Sequence, residues 1–120
     1  MRKTTLVLGA SVNTERYSNK AIQKLREKNI EVFALGAKNG TVLDVNIETE
    51  KLPFTAIDTV TLYLNPTRQK EYYNYILELK PRRVIFNPGT ENLELENLLK
   101  ENGIETEIAC TLVLLSINQY

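Results

Sequence analysis

The strongest constraint in this sequence is a rhythm: short aliphatic runs, bounded by turn residues, alternate with stretches of helical period. Thr4–Leu8 (TTLVL), Glu31–Leu35 (EVFAL) and Arg83–Phe86 (RVIF) are compact β-branched or aliphatic runs. Runs of that kind are strands covered on both faces, as in a parallel sheet. Thr59–Leu64 (TVTLYL) reads as a fourth strand with a more alternating face, and Glu105–Ala109 (ETEIA) is weaker and suits an edge.

Helical patterns fall between these runs. Ser18 is placed to cap a helix whose Ala21, Ile22 and Leu25 share one face, and Asn29, which tolerates the left-handed conformation, ends it. Asn65-Pro66 is a start signal, with Asn as the cap and Pro at the first helical position. Tyr72, Tyr73, Ile76 and Leu77 then supply a core-facing stripe that Lys80-Pro81 terminates. A third helix is expected from about Glu91 to Asn102, with Leu95, Leu98 and Leu99 inward and Gly103 past its end. The order β-α-β, insert, β-α-β-α-β predicts an α/β fold of Rossmann-like type. This is a doubly wound, mostly parallel sheet of five to six strands with helices on both faces. The insert, Gly36–Thr55, is expected to be a loop with a short hairpin or edge strand around Thr41–Ile47. Thr111–Tyr120 is expected to fold back over the sheet as a short helix or coil.

At 120 residues the chain reads as one domain, 1–120. Fifteen basic residues balance fifteen acidic ones, so neither nucleic acid nor an anionic membrane is expected as the partner. The lone Cys110 has no internal disulfide partner, which points to a reducing, cytoplasmic setting. Met1–Thr5 leads straight into a strand, so no secretory leader is expected, and the run Leu112–Leu115 is far too short to span a bilayer. That run and Tyr120 suit packing on the sheet, with a homodimer patch or contact with another protein as the alternative. The chain has no histidine, which excludes a Ser-His-Asp triad, a His-containing zinc site and phosphohistidine chemistry.

In an open α/β sheet, ligands bind at the carboxyl ends of the strands where the strand order reverses. The loop after the first strand is the most informative part of that edge. Gly9 keeps the backbone approachable, and Ser11, Asn13 and Ser18 supply neutral hydrogen-bonding groups beside a helix N-terminus. With Arg16 adding a forked positive charge, the set suits a phosphate or diphosphate; a polar loop with an ordinary cap is the plainer alternative. The glycine pattern of NAD sites is absent, since Ser11 and Thr14 stand where the second and third glycines would be. Strand two ends in Gly36-Ala37-Lys38 without the acidic residue that binds a ribose diol. Lys38 instead favours a phosphorylated ribose, unless it is simply a solvated surface lysine. Asn65-Pro66 is explained by its helix start alone. In Asn87-Pro88-Gly89-Thr90, backbone amides facing a ligand and a plain tight turn account for the sequence equally well.

Gly9-Ala10-Ser11-x-Asn13-x-x-Arg16-Tyr17-Ser18, Lys38 with Gly40, and Asn87-Pro88-Gly89 together resemble the small stand-alone CoA-binding proteins, relatives of the CoA-binding domain of the succinyl-CoA synthetase alpha subunit. The resemblance implies coenzyme A held along the strand ends. Gly9, Ser11, Asn13, Arg16 and Ser18 would lie against the diphosphate and pantetheine, and Lys38 against the phosphorylated ribose. Asn65-Pro66 and Asn87–Thr90 would flank the adenine or pantetheine. Ligase activity does not carry over, because there is neither a second domain nor a histidine to phosphorylate. Three classes of function follow: a non-catalytic CoA or acyl-CoA binding module, a binding module for NADP or another phosphorylated nucleotide, and an enzyme acting on a CoA thioester. The enzyme would have to work with Glu15, Glu91 and Cys110. Cys110 reads as buried packing, with a mixed disulfide to a pantetheine thiol as the sharper alternative.

Overall fold

The computed structural model describes residues 2–120. Its strands are β1 (Thr5–Ala10), β2 (Val32–Gly36), β3 (Gly40–Val42), β4 (Val45–Glu48), β5 (Thr59–Leu62), β6 (Arg83–Phe86) and β7 (Glu105–Ile108). Its helices are α1 (Tyr17–Glu27), α2 (Pro66–Gln69), α3 (Tyr73–Leu79), α4 (Leu93–Glu101) and α5 (Thr111–Ser116), with a 3-10 turn at Lys70–Tyr72 between α2 and α3.

The strands form one sheet in the order β3-β4-β2-β1-β5-β6-β7. Every neighbouring pair is parallel except β3 with β4. The insert is therefore the expected hairpin, and both of its arms join the sheet. That gives seven strands rather than five to six. Among the parallel strands the spatial order is third, second, first, fourth, fifth, sixth, and it reverses between β1 and β5.

Alternation along the strands divides the core. On one face Leu6, Leu8, Val60, Leu62, Val84 and Phe86 pack with Ile76, Leu95 and Leu99 of α3 and α4. On the other, Val7, Ala34 and Ile85 pack with Ile22 and Leu25 of α1 and Leu115 of α5. Burial on both faces is why β1, β2 and β6 carry unbroken apolar runs, while β5, equally buried, alternates Thr59 and Thr61 with Val60 and Leu62. Each such Leu or Ile contributes about 1.5–3 kcal/mol relative to an exposed position. β7 is half-covered, as its mixed composition predicts.

The end signals work at several points. Asn29 takes φ 60 after α1, and Gly103 takes φ 75 after α4. The Asn65 Oδ1 accepts from the Arg68 N–H at 2.9 Å and caps α2, while Lys80, at φ 50, closes α3 before Pro81. Ser18 does not cap α1. The cap position is Arg16, without a side-chain bond, and Ser18 is the second helical residue, buried. The helix after Asn65-Pro66 is also interrupted. Gln69, fully buried, donates to the carbonyls of Leu64 and Thr90, both at 2.8 Å. That pins the first turn to two loops, and the chain tightens into the 3-10 turn before α3 resumes with Tyr75 and Ile76 inward. The C-terminal segment folds back as expected: Leu115 and Tyr120 join the second core, and the Arg83 guanidinium lies 4.4 Å from the Tyr120 ring centroid. Among the described residues no helix is long and apolar enough to cross a membrane.

Candidate functional site

The chain leaves β1 toward β2 on one side and leaves β5 toward β6 on the other, so their carboxyl ends diverge and a crevice opens between the loops. A cleft of about 860 Å³ lies there, within the usual size of a small-molecule site. It brings together Gly9, Ala10, Ser11, Asn13, Arg16, Tyr17, Ser18, Lys38, Asn65, Gly89 and Thr90 from four separate loops.

The β1–α1 loop is shaped by its own hydrogen bonds. The Ser11 Oγ accepts from the Asn13 N–H at 3.1 Å, and the Asn13 Oδ1 accepts from the Glu15 N–H at 2.9 Å. Buried Asn19 donates to the Ser11 carbonyl at 3.0 Å and accepts from Gln23 at 2.6 Å, which ties the loop to α1. The backbone N–H groups of Tyr17 and Ser18 have no hydrogen-bond partner among the described residues, because no side chain caps the helix. The helix therefore begins at the cleft lining with two uncapped donors and the positive end of its dipole, an arrangement that stabilises an anion. Gly9 lies inside β1, at the irregularity between Leu8 and Ala10, with φ +101. A Cβ there would come within 3.0 Å of the Tyr63 carbonyl carbon and 3.1 Å of Leu64. The glycine thus makes room for the close approach of Tyr63 and Leu64, which follow β5, while it also lines the cleft.

Charge is concentrated at this cleft. Arg16 and Lys38 line it from the loops after β1 and β2 and Arg68 from α2, all exposed, and among the described lining residues Glu15 is the only carboxylate. None of the three cations belongs to an ion pair among the described residues. In a chain of zero net charge, three free cations on one cavity make a local positive potential that recruits anions.

Tyr63, Leu64 and Pro88 give the far wall an apolar character. Burial pushes the Tyr63 phenol up to about 12, against hydrogen bonds to Thr111 and Thr61 that pull the other way, so it remains a neutral hydrogen-bonding group at ordinary pH.

Two expected residues stand outside the cleft lining. Pro66 is the exposed first residue of α2. Asn87 is buried: its Nδ2 donates to the Thr61 hydroxyl at 2.7 Å and the Leu62 carbonyl at 2.8 Å, and its Oδ1 accepts from the Thr111 N–H at 2.9 Å. It locks β5, β6 and the start of α5 together, which is structural work. The amides of the following turn are also engaged, Gly89 N–H with Glu91 at 2.8 Å and Thr90 N–H with the Asn87 carbonyl at 2.9 Å. Cys110, half-buried at the start of α5, is not part of the lining either. Arg68 was not anticipated, although the signal was present: two residues past an Asn-Pro start at a strand end, a side chain belongs to the first turn and the rim of the crevice. Val12, Glu15 and Ala37 are further lining residues that accompany loops already singled out.

The family model for a CoA binding domain matches residues 3–116. The chain belongs to the CoA binding domain family. Among curated proteins nothing matches. Among solved structures, a crystal structure of an uncharacterized protein is 52% identical with a TM-score of 0.97, over 100% of this chain and 99% of that one. A protein from Thermus thermophilus shares the fold at 22% identity and TM-score 0.86, over 99% of this chain and 91% of its own. A hypothetical protein from Pyrococcus horikoshii aligns at 25% identity and TM-score 0.83, covering 93% of this chain and 80% of that one. The family match spans β1 through α5, so the cleft loops lie wholly within it.

Proposed function

We propose that this protein is a Rossmann-like module that binds coenzyme A or an acyl-CoA across the carboxyl ends of its strands, without catalysis of its own. The observation that carries the reading is the trio of unpaired cations, Arg16, Lys38 and Arg68, around one cleft. Coenzyme A presents a diphosphate and a phosphomonoester, the latter carrying about −1.5 to −2 charge near pH 7. The residues present suit such a ligand. Arg16, the open N-terminus of α1 and the polar groups of Ser11 and Asn13 fit the diphosphate, and Lys38 at the end of β2 fits the phosphate on the ribose. Val12, Tyr17, Tyr63, Leu64 and Pro88 offer apolar surface for adenine and pantetheine. The non-catalytic part of the reading rests on the chemistry of the lining. Glu15 is its one carboxylate and the chain has no histidine, so no acid–base pair is assembled there.

Lys38 also suits NADP, whose ribose carries a phosphate, and the same experiment separates the two. Calorimetry with CoA, dephospho-CoA, NADP and NAD should give CoA the tightest binding. The preference of CoA over dephospho-CoA should reach roughly tenfold, the worth of one charged hydrogen bond at a part-exposed site. Lys38→Ala should erase most of that preference and leave dephospho-CoA almost unaffected. NADP binding tighter than CoA would replace this reading with the nucleotide one, and no discrimination between CoA and dephospho-CoA would remove Lys38 from the site.

A further inference from the structure

We infer that Arg68 is the second half of a diphosphate clamp, facing Arg16 from the opposite wall of the cleft. The inference rests on the cleft being a phosphate site and goes beyond that reading by assigning the short helix α2 a charge-recognition task. α2 is only four residues long, yet it is held with unusual firmness. Asn65 takes the Arg68 N–H on its side chain at 2.9 Å. Buried Gln69 bridges the Leu64 and Thr90 carbonyls, each at 2.8 Å, and accepts from the Asn92 side chain at 2.9 Å. The backbone beneath Arg68 is thus fixed to both the β5 and β6 loops. The guanidinium it carries lines the cleft with no carboxylate paired to it among the described residues. A rigid base under a free arginine is what planar, two-pronged recognition of a phosphate needs.

The sheet order decides which phosphate. β2, which ends next to Lys38, lies on one side of β1, and β5, which leads to Arg68, lies on the other. α1 begins between them, with Arg16 at its cap position. A ligand whose ribose phosphate reaches Lys38 passes its diphosphate over the α1 N-terminus, and the next cation along that line is Arg68. Arg68 and Lys38 therefore read different groups.

The test compares wild type, Arg68→Ala and Arg68→Gln for binding of CoA, dephospho-CoA and inorganic pyrophosphate, with melting temperatures taken in the absence of ligand. Both variants should lose about tenfold in affinity for CoA and dephospho-CoA alike, so that the ratio between the two ligands stays at its wild-type value. Pyrophosphate affinity should fall in parallel, and the ligand-free melting temperature should not move, since the side chain is exposed and its backbone cap is retained. Unchanged affinities in both variants overturn the clamp, and a loss confined to CoA reassigns Arg68 to the ribose phosphate. Pyrophosphate binding that depends on Arg68 in a protein that ignores CoA sustains the clamp while overturning the choice of ligand. A protein that binds neither overturns both.

Discussion

Gly9→Ala tests how the crevice is built. Two separate costs meet at this position. The backbone has φ +101, a conformation that residues with a Cβ rarely adopt, and forcing one there costs about 1–3 kcal/mol. The new methyl would also press on Tyr63 at 3.0 Å and Leu64 at 3.1 Å, and the nearest of those atoms belongs to the backbone just past β5, which cannot rotate away as a side chain could. Overpacking of that kind adds about 1–3 kcal/mol. The sum, about 2–6 kcal/mol, is a large share of the 5–15 kcal/mol typical of a domain. Gly89 supplies the control: it has φ +91 but nothing within 4 Å of its notional Cβ. Gly89→Ala should therefore show the conformational cost alone, about 1–3 kcal/mol. Urea denaturation of the two variants, read as a change in midpoint at constant slope, measures the difference directly. Equal losses in the two variants would refute the close approach of Tyr63 and Leu64 as the reason for Gly9.

The buried role of Asn87 predicts that Asn87→Ala costs about 2–4 kcal/mol of stability, because the Thr111 N–H and Leu62 carbonyl lose partners they cannot replace from water. Paired denaturation and ligand titration should show that loss with the folded protein's affinity intact, whereas an affinity loss without destabilisation would make Asn87 a ligand contact. Acid sensitivity is predicted at Asp58. Burial works to raise its pKa, but hydrogen bonds from Arg82 and Thr59 and the Arg82 charge outweigh it and hold the carboxyl below the ordinary 3.8. A depressed folded pKa means the contribution is present above the unfolded value and is lost as pH falls through the folded one. Melting temperatures taken from about pH 6 down to about pH 2.5 should fall more steeply for wild type than for Asp58→Asn; parallel curves would show that Asp58 is not a source of acid lability.

Where sequence signals act locally, they read correctly. The aliphatic runs became strands because each is covered twice, and Asn65-Pro66, Asn29 and Gly103 acted through their own backbone preferences. Signals that depend on a distant partner were harder to read. Ser18 looked like a cap because it precedes an apolar stripe, but the loop's bonds among Ser11, Asn13 and Asn19 draw the helix start forward to Tyr17. The hairpin of β3 and β4 carries weak β signals, and its burial comes from α1 and β2, so its extent is set by tertiary contacts. Asn87 was legible in principle. A count of two from Arg83 through Ile85 puts it on the α5 face, where a polar side chain has to find partners.

The same distinction explains why the site could be located more easily than it could be composed. Topology alone sends the loops after β1, β2, β5 and β6 to one edge, so naming the strands names the neighbourhood of the cleft. Which side chains of those loops stay available is a matter of what else they hold. The Asn87 side chain is consumed in tying β6 to β5 and α5, and the amides of Gly89 and Thr90 are consumed within their own turn. Arg16, Lys38 and Arg68 join no ion pair among the described residues, whereas Arg26, Arg82 and Arg83 are each paired with a carboxylate; what sets the three apart is that they share one cleft. Like charges gathered on one rim repel one another, and a bound anion would relieve that repulsion, which is the physical content of the proposed site.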